Sequence, residues 1–127
     1  MITPLYAGIL TLLFVALSIR VIGARRSARI ALGDGGASTV LRRMRVHSNF
    51  AEYVPLALIL MLMMELQDAP ALVLHALGIA LVGGRTLHAY GVSQEPEPMR
   101  LRVAGMATTF TVLIASAIGN MTLAIWV

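Results

Sequence analysis

The chain has 127 residues, 58% of them hydrophobic and 13% charged, with a mean hydropathy of +0.83. A soluble domain carries about a quarter charged residues, so this composition excludes a water-facing shell and makes lipid the solvent. Cysteine is absent, which excludes disulfides, thiolate metal sites and a protein thiol nucleophile, and the net charge of +4 comes from ten arginines and no lysine.

A membrane helix needs about 20 mostly apolar residues. The first such run covers residues 5–24, broken only by Arg20, which can snorkel to the interface. Thr3 before Pro4 predicts an N-cap followed by a first-turn proline. The N-terminus lacks the basic region of a secretory signal, so this run is expected to be a retained helix. It is expected to continue in water through Arg25, Arg26 and Arg29, until Gly33-Asp34-Gly35-Gly36 ends it. Ser38 or Thr39 can cap a second helix starting near residue 39, amphipathic at first and membrane-spanning over residues 50–64. Residues 65–70 make a short reversal. The third span covers residues 71–90, with Arg85, His88 and Tyr90 on its last turns. A polar loop with two prolines leads to a fourth span over residues 99–127. The expected architecture is one all-α domain over residues 1–127, an integral membrane four-helix bundle.

All ten arginines lie at the end of span one, in loop one, at the start of helix two or around loop three. By the positive-inside rule, loops one and three are cytoplasmic and both termini lie outside.

Arg45, Asn49 and Glu52 fall at i, i+4 and i+7, on one face of helix two. Facing lipid they would be costly, so they should face a partner helix or a polar cavity. One reading is a structural Arg45–Glu52 salt bridge with Asn49 as interhelical glue. The other is a binding site. His47 lies off this stripe, where a solvated position is usual, and Tyr53 has the character of an interfacial anchor.

From Arg45 the sequence reads Arg-Val-His-Ser-Asn-Phe-Ala-Glu-Tyr-Val-Pro-Leu. This resembles the MAPEG family, the membrane-associated proteins in eicosanoid and glutathione metabolism. Arg-x-His-x-Asn-x-x-Glu is similar to the prostaglandin E synthase segment, and Glu-Tyr-x-Pro-Leu to the leukotriene C synthase one. The resemblance implies a homotrimer, a bacterial inner-membrane location, and glutathione as cosubstrate in a cleft between neighbouring subunits. It implies that Arg45, Asn49 and Glu52 hold the tripeptide, with His47, Tyr53 and Arg25 as further contacts. Arginine forks suit its carboxylates and a glutamate suits its ammonium. Arg85-Thr86-Leu87-His88 resembles a third-helix Arg-x-x-His, which makes His88 a binding candidate. The family tyrosine beyond it is replaced by Val92, leaving Tyr90 as the nearest substitute, about 160° around the helix. Arg102 matches the arginine assigned to thiolate activation, with Arg100 as rival.

The activity so implied is that of a glutathione transferase or peroxidase, in which the arginine stabilises the glutathione thiolate against an apolar electrophile. Two other functions fit the same composition: a lipid-binding scaffold of this fold and a small channel or transporter subunit. Three scattered histidines lack metal-ligand spacing. The arginines flank membrane spans without interleaved aromatics, so membrane lipid headgroups are expected partners and nucleic acid is not. His75 is expected to be an interhelical hydrogen-bonder. Gly105, Thr109, Ser116, Gly119 and Asn120 give span four a small or polar face suited to close helix packing, including packing between copies.

Overall fold

The computed structural model describes residues 1–126, and Val127, the last residue of the expected fourth span, lies outside them. Four helices follow one another: α1 (Thr3–Ala28), α2 (Ser38–Leu66), α3 (Ala71–Ser93) and α4 (Met99–Trp126). At 23 to 29 residues each, they are about 35–44 Å long, enough to cross a hydrocarbon core of about 30 Å. All four are apolar enough to do so. No strand occurs among the described residues. The molecule is an all-α membrane bundle.

Its polarity is arranged for lipid. Leu10 and Leu17 of α1, Val46, Phe50, Ala57 and Met61 of α2, Leu74 and Leu81 of α3, and Val112 of α4 form the buried seam. Equally large side chains, among them Leu12, Ile19, Leu56, Ile79 and Ile114, cover the exterior. Lipid tails are as apolar as leucine, so cohesion rests on close packing and interhelical hydrogen bonds.

The α3–α4 contact shows the packing term. A Cβ on Gly105 would stand 2.7 Å from both the Gly84 carbonyl oxygen and the His88 backbone nitrogen. Near the other end of α4, a Cβ on Gly119 would stand 3.1 Å from Met64 Sδ. The small face of α4 is therefore used within the subunit, which corrects the expectation that it is available to another copy. Gly105→Leu is expected to destabilise the bundle by about 1–3 kcal/mol through overpacking, read as a lowered Tm in detergent.

Hydrogen bonds fasten the other seams. Tyr6 Oη and His75 Nδ1 are paired at 2.8 Å between α1 and α3. Asn120 Nδ2 donates to the Leu60 carbonyl at 2.8 Å, and its Oδ1 accepts from Gln67 Nε2 at 3.0 Å. Two helix starts differ from expectation. Thr3 is buried and does not cap α1; the Glu65 carboxylate from the end of α2 accepts from the Ile2 and Thr3 backbone N–H groups instead. The α2 N-cap is Ala37, with no side-chain cap from Ser38 or Thr39. α1 stops at Ala28, where Arg29 turns into the left-handed region and Ile30 N–H closes on the Arg25 carbonyl at 2.9 Å.

Candidate functional site

α3 extends to Ser93, so Arg85 lies eight residues, about 12 Å, inside its end. Its relative exposure is 2%. Arg85 Nη1 donates to Asn49 Oδ1 at 2.5 Å, Nη2 lies 3.3 Å from Met106 Sδ, and the guanidinium carbon stands 6.0 Å from the centroid of the Tyr53 ring. Among the described residues no carboxylate pairs with it, and its buried Nε lacks a partner. His88, one turn further along α3, is also buried, with an unpartnered Nδ1. Tyr53 meets Phe110 of α4 edge-on at 5.5 Å, so it is packed between helices and is not a lone interfacial anchor.

Arg45 and Glu52 continue the same α2 stripe, but both are exposed on the outside of the subunit. The Arg45–Glu52 salt bridge does not form. Seven residues of helix separate them by about 10.5 Å along the axis, and nothing folds one toward the other. Glu52 sits fourteen residues from either end of α2, about 21 Å from the Leu66 end, at a depth where hydrocarbon surrounds it.

His47 of α2 and Arg25 of α1 lie elsewhere, where those two helices pack together. The His47 ring stacks on Phe14 at 4.7 Å and its Nε2 pairs with Ser18 Oγ at 2.9 Å, so it is half-buried and not solvated. Ring area satisfied by an apolar neighbour and one polar tip satisfied by a hydroxyl explain the difference. Arg25 Nη2 reaches Met44 Sδ at 3.5 Å, and its buried Nε has no partner. Tyr90 is 60% exposed and belongs to neither group, while Val92 is buried.

Arg102 opens α4 beside the end of α3. Gly91 makes this approach possible, because a Cβ there would stand 3.0 Å from the Arg102 backbone nitrogen. Arg102 Nη1 donates to Glu97 at 3.1 Å, and Glu97 also accepts from Arg42 at 3.3 Å. Arg42 further binds Glu95 at 2.8 Å and the Val92 carbonyl at 3.1 Å. Arg100 is exposed and takes part in none of these ion pairs. The start of α2 thus clamps the α3–α4 loop through one arginine.

The expected site residues therefore divide. Asn49, Tyr53 and His88 gather around Arg85 between α2, α3 and α4. Arg25 and His47 stand between α1 and α2. Arg45 and Glu52 face outward. Three residues absent from the sequence expectation join them: Arg85, Arg42 and Glu97. A charge well inside a span marks Arg85 as functional by default, a signal available in the sequence. Glu97 gave no such signal, since its pairing depends on how a proline-flanked loop folds. No group of three metal-ligating side chains occurs among the described residues.

Hydrogen bonds from Ser38 and Arg42, and the Arg42 charge, hold the Glu95 carboxyl below the usual carboxylate range. A carboxyl lowered on folding contributes stability above its unfolded pKa of about 4.3 and loses it as pH falls through the folded value. Loop three is therefore expected to loosen on acidification below that range, read as lower amide-exchange protection, relative to intrinsic rates, at Gln94, Glu95 and Glu97. Glu95→Gln should remove that acid-side change.

Four long apolar helices around a buried arginine define an all-α membrane bundle. The sequence pattern of the MAPEG family matches residues 3–122. The chain is 37% identical over 121 residues to inner membrane protein YecN of Escherichia coli K12, spanning 95% of this chain and 91% of that relative. The counterpart in Escherichia coli O6:H1 matches equally. The chain belongs to the MAPEG family, which includes glutathione transferases.

Proposed function

We propose that the protein is a glutathione-dependent transferase or peroxidase of the bacterial inner membrane, acting on apolar electrophiles as a homotrimer. The observation that carries this reading is Glu52, an exposed carboxylate with no salt-bridge partner on the outside of a single subunit, inside the apolar part of α2. A carboxylate facing lipid within a membrane span is costly, so it calls for a covering partner and a compensating cation. A second copy supplies the cover and the glutathione ammonium supplies the charge. The orphaned Arg25 and His88 nitrogens fit the same account, because they lie on different sides of α2 and one cleft within a subunit cannot use both. A neighbour's α1–α2 edge laid against the Glu52 face brings the two groups together.

In this arrangement Arg45 and the Arg25 group meet the tripeptide's carboxylates, Glu52 meets its ammonium, and Asn49 is held in place by Arg85. Arg102 stabilises the thiolate. A protein without cysteine needs no nucleophile of its own, because the ligand brings the sulfur. Arg45→Ala and Glu52→Ala are each expected to weaken glutathione binding by about 1.5–3 kcal/mol, measured by calorimetry in detergent. Folded variants with unchanged affinity would reject this assignment.

One contact favours a second reading, a non-catalytic binding scaffold. Arg102 already has a carboxylate partner in Glu97, 3.1 Å away. Turnover of a generic electrophile by the purified protein separates the two.

A further inference from the structure

A second basic cavity lies apart from the residues assigned to glutathione. It has a volume of about 170 Å³ and is lined by Arg20, Thr39, Arg42, Arg43, Ser93 and Glu95. It is closed by the end of α1, the start of α2 and the end of α3, all within one subunit. Arg20 Nη2 donates to Ser93 Oγ at 3.1 Å, and Arg43 Nη1 donates to the Arg20 carbonyl at 3.2 Å. Each guanidinium carries five donors, and among the described residues each of these two uses only one. Three arginines face one carboxylate in the lining, and that carboxylate, Glu95, is engaged by Arg42. The wall therefore carries a surplus of two positive charges. Arg20 and Arg43 line one cavity with like charges, which favours an anion there.

The depth of the cavity identifies the anion. Arg20 lies 17 residues beyond Thr3 on α1, about 26 Å along the helix, near the far edge of a hydrocarbon core of about 30 Å. From there a snorkelling guanidinium reaches the headgroup level, where lipid phosphates lie. On the same helix Ile19, next to Arg20 in sequence, is 62% exposed and gives acyl chains apolar surface at the same level. Bidentate arginine forks and the Thr39 and Ser93 hydroxyls suit phosphate oxygens.

We propose that this cavity binds a phosphate group, presented by an anionic phospholipid, through Arg20, Arg43, Thr39 and Ser93. The proposal does not depend on the glutathione reading, since none of these four residues serves it.

Native mass spectrometry of the purified protein in mild detergent tests it, with added phosphatidylglycerol, diacylglycerol of the same acyl chains, or inorganic phosphate. One phosphatidylglycerol per chain should be retained, and diacylglycerol should not. Arg20→Gln with Arg43→Gln should weaken retention at least tenfold. Thr39→Asp places a carboxylate in the cavity at an exposed first-turn position that tolerates acid. It breaks no hydrogen bond seen in the structure, and it should weaken retention to a similar degree. Arg26→Gln with Arg29→Gln, outside the cavity, should leave it unchanged. Inorganic phosphate bound with the same sensitivity to these variants would keep the site and make its ligand soluble phosphate. Retention unchanged in folded Thr39→Asp, or lost equally in the Arg26/Arg29 pair, would overturn the assignment.

Discussion

Arg102→Ala is expected to abolish the glutathione thiolate signal and lower conjugating activity by about 10²–10³-fold, the range for removing one donor to a developing anion. Glutathione affinity should fall less than in Arg45→Ala, because the carboxylate contacts remain. A free thiol with a pKa of about 8.5 is mostly protonated at neutral pH, and a guanidinium beside the sulfur shifts it toward the anion. Arg102→Lys should keep part of the activity, since a point charge still favours the thiolate without the planar fork. Glu97 adds a test of sign. It now occupies Arg102 at 3.1 Å, so Glu97→Gln should release that arginine and strengthen the thiolate signal. An essential Arg100 with a dispensable Arg102 would move the role to the neighbouring arginine.

Arg85→Met should separate stability from function. Arg85 is buried without a carboxylate, and replacing a desolvated charge with an apolar side chain of similar length is often neutral or stabilising. The offsetting cost is the lost donor to Asn49, about 1–3 kcal/mol for a buried polar group left unmet. Tm in detergent should therefore change little, while glutathione affinity falls at least tenfold because Asn49 and Tyr53 lose the cation that orders them. A large loss of Tm with affinity retained in the folded fraction would make Arg85 a structural residue only.

The four membrane helices were legible because each apolar run exceeds what a soluble core uses, and because glycine, proline and arginine punctuate the gaps. The α2 stripe was legible from spacing alone, since i, i+4 and i+7 share one face wherever the helix lies. Its fate was not. Asn49 turns to a buried arginine while Glu52, three residues on, is left outside, and that choice depends on which side α3 and α4 take. His47 lies off that stripe, where a solvated position is usual, but it is half-buried because Phe14 and Ser18 come from a helix whose packing angle no local pattern encodes. The small face of α4 pointed correctly to close approach and wrongly to another copy, because small residues permit contact without naming the partner. Thr3 had the chemistry of a cap, and Glu65, more than sixty residues away, took the task.

Thiolate ultraviolet absorbance on titrating glutathione into the purified protein tests the central claim most directly. The account predicts a band that saturates in proportion to protein and is missing in Arg102→Ala. Absorbance indistinguishable from glutathione in buffer across the whole titration would contradict it.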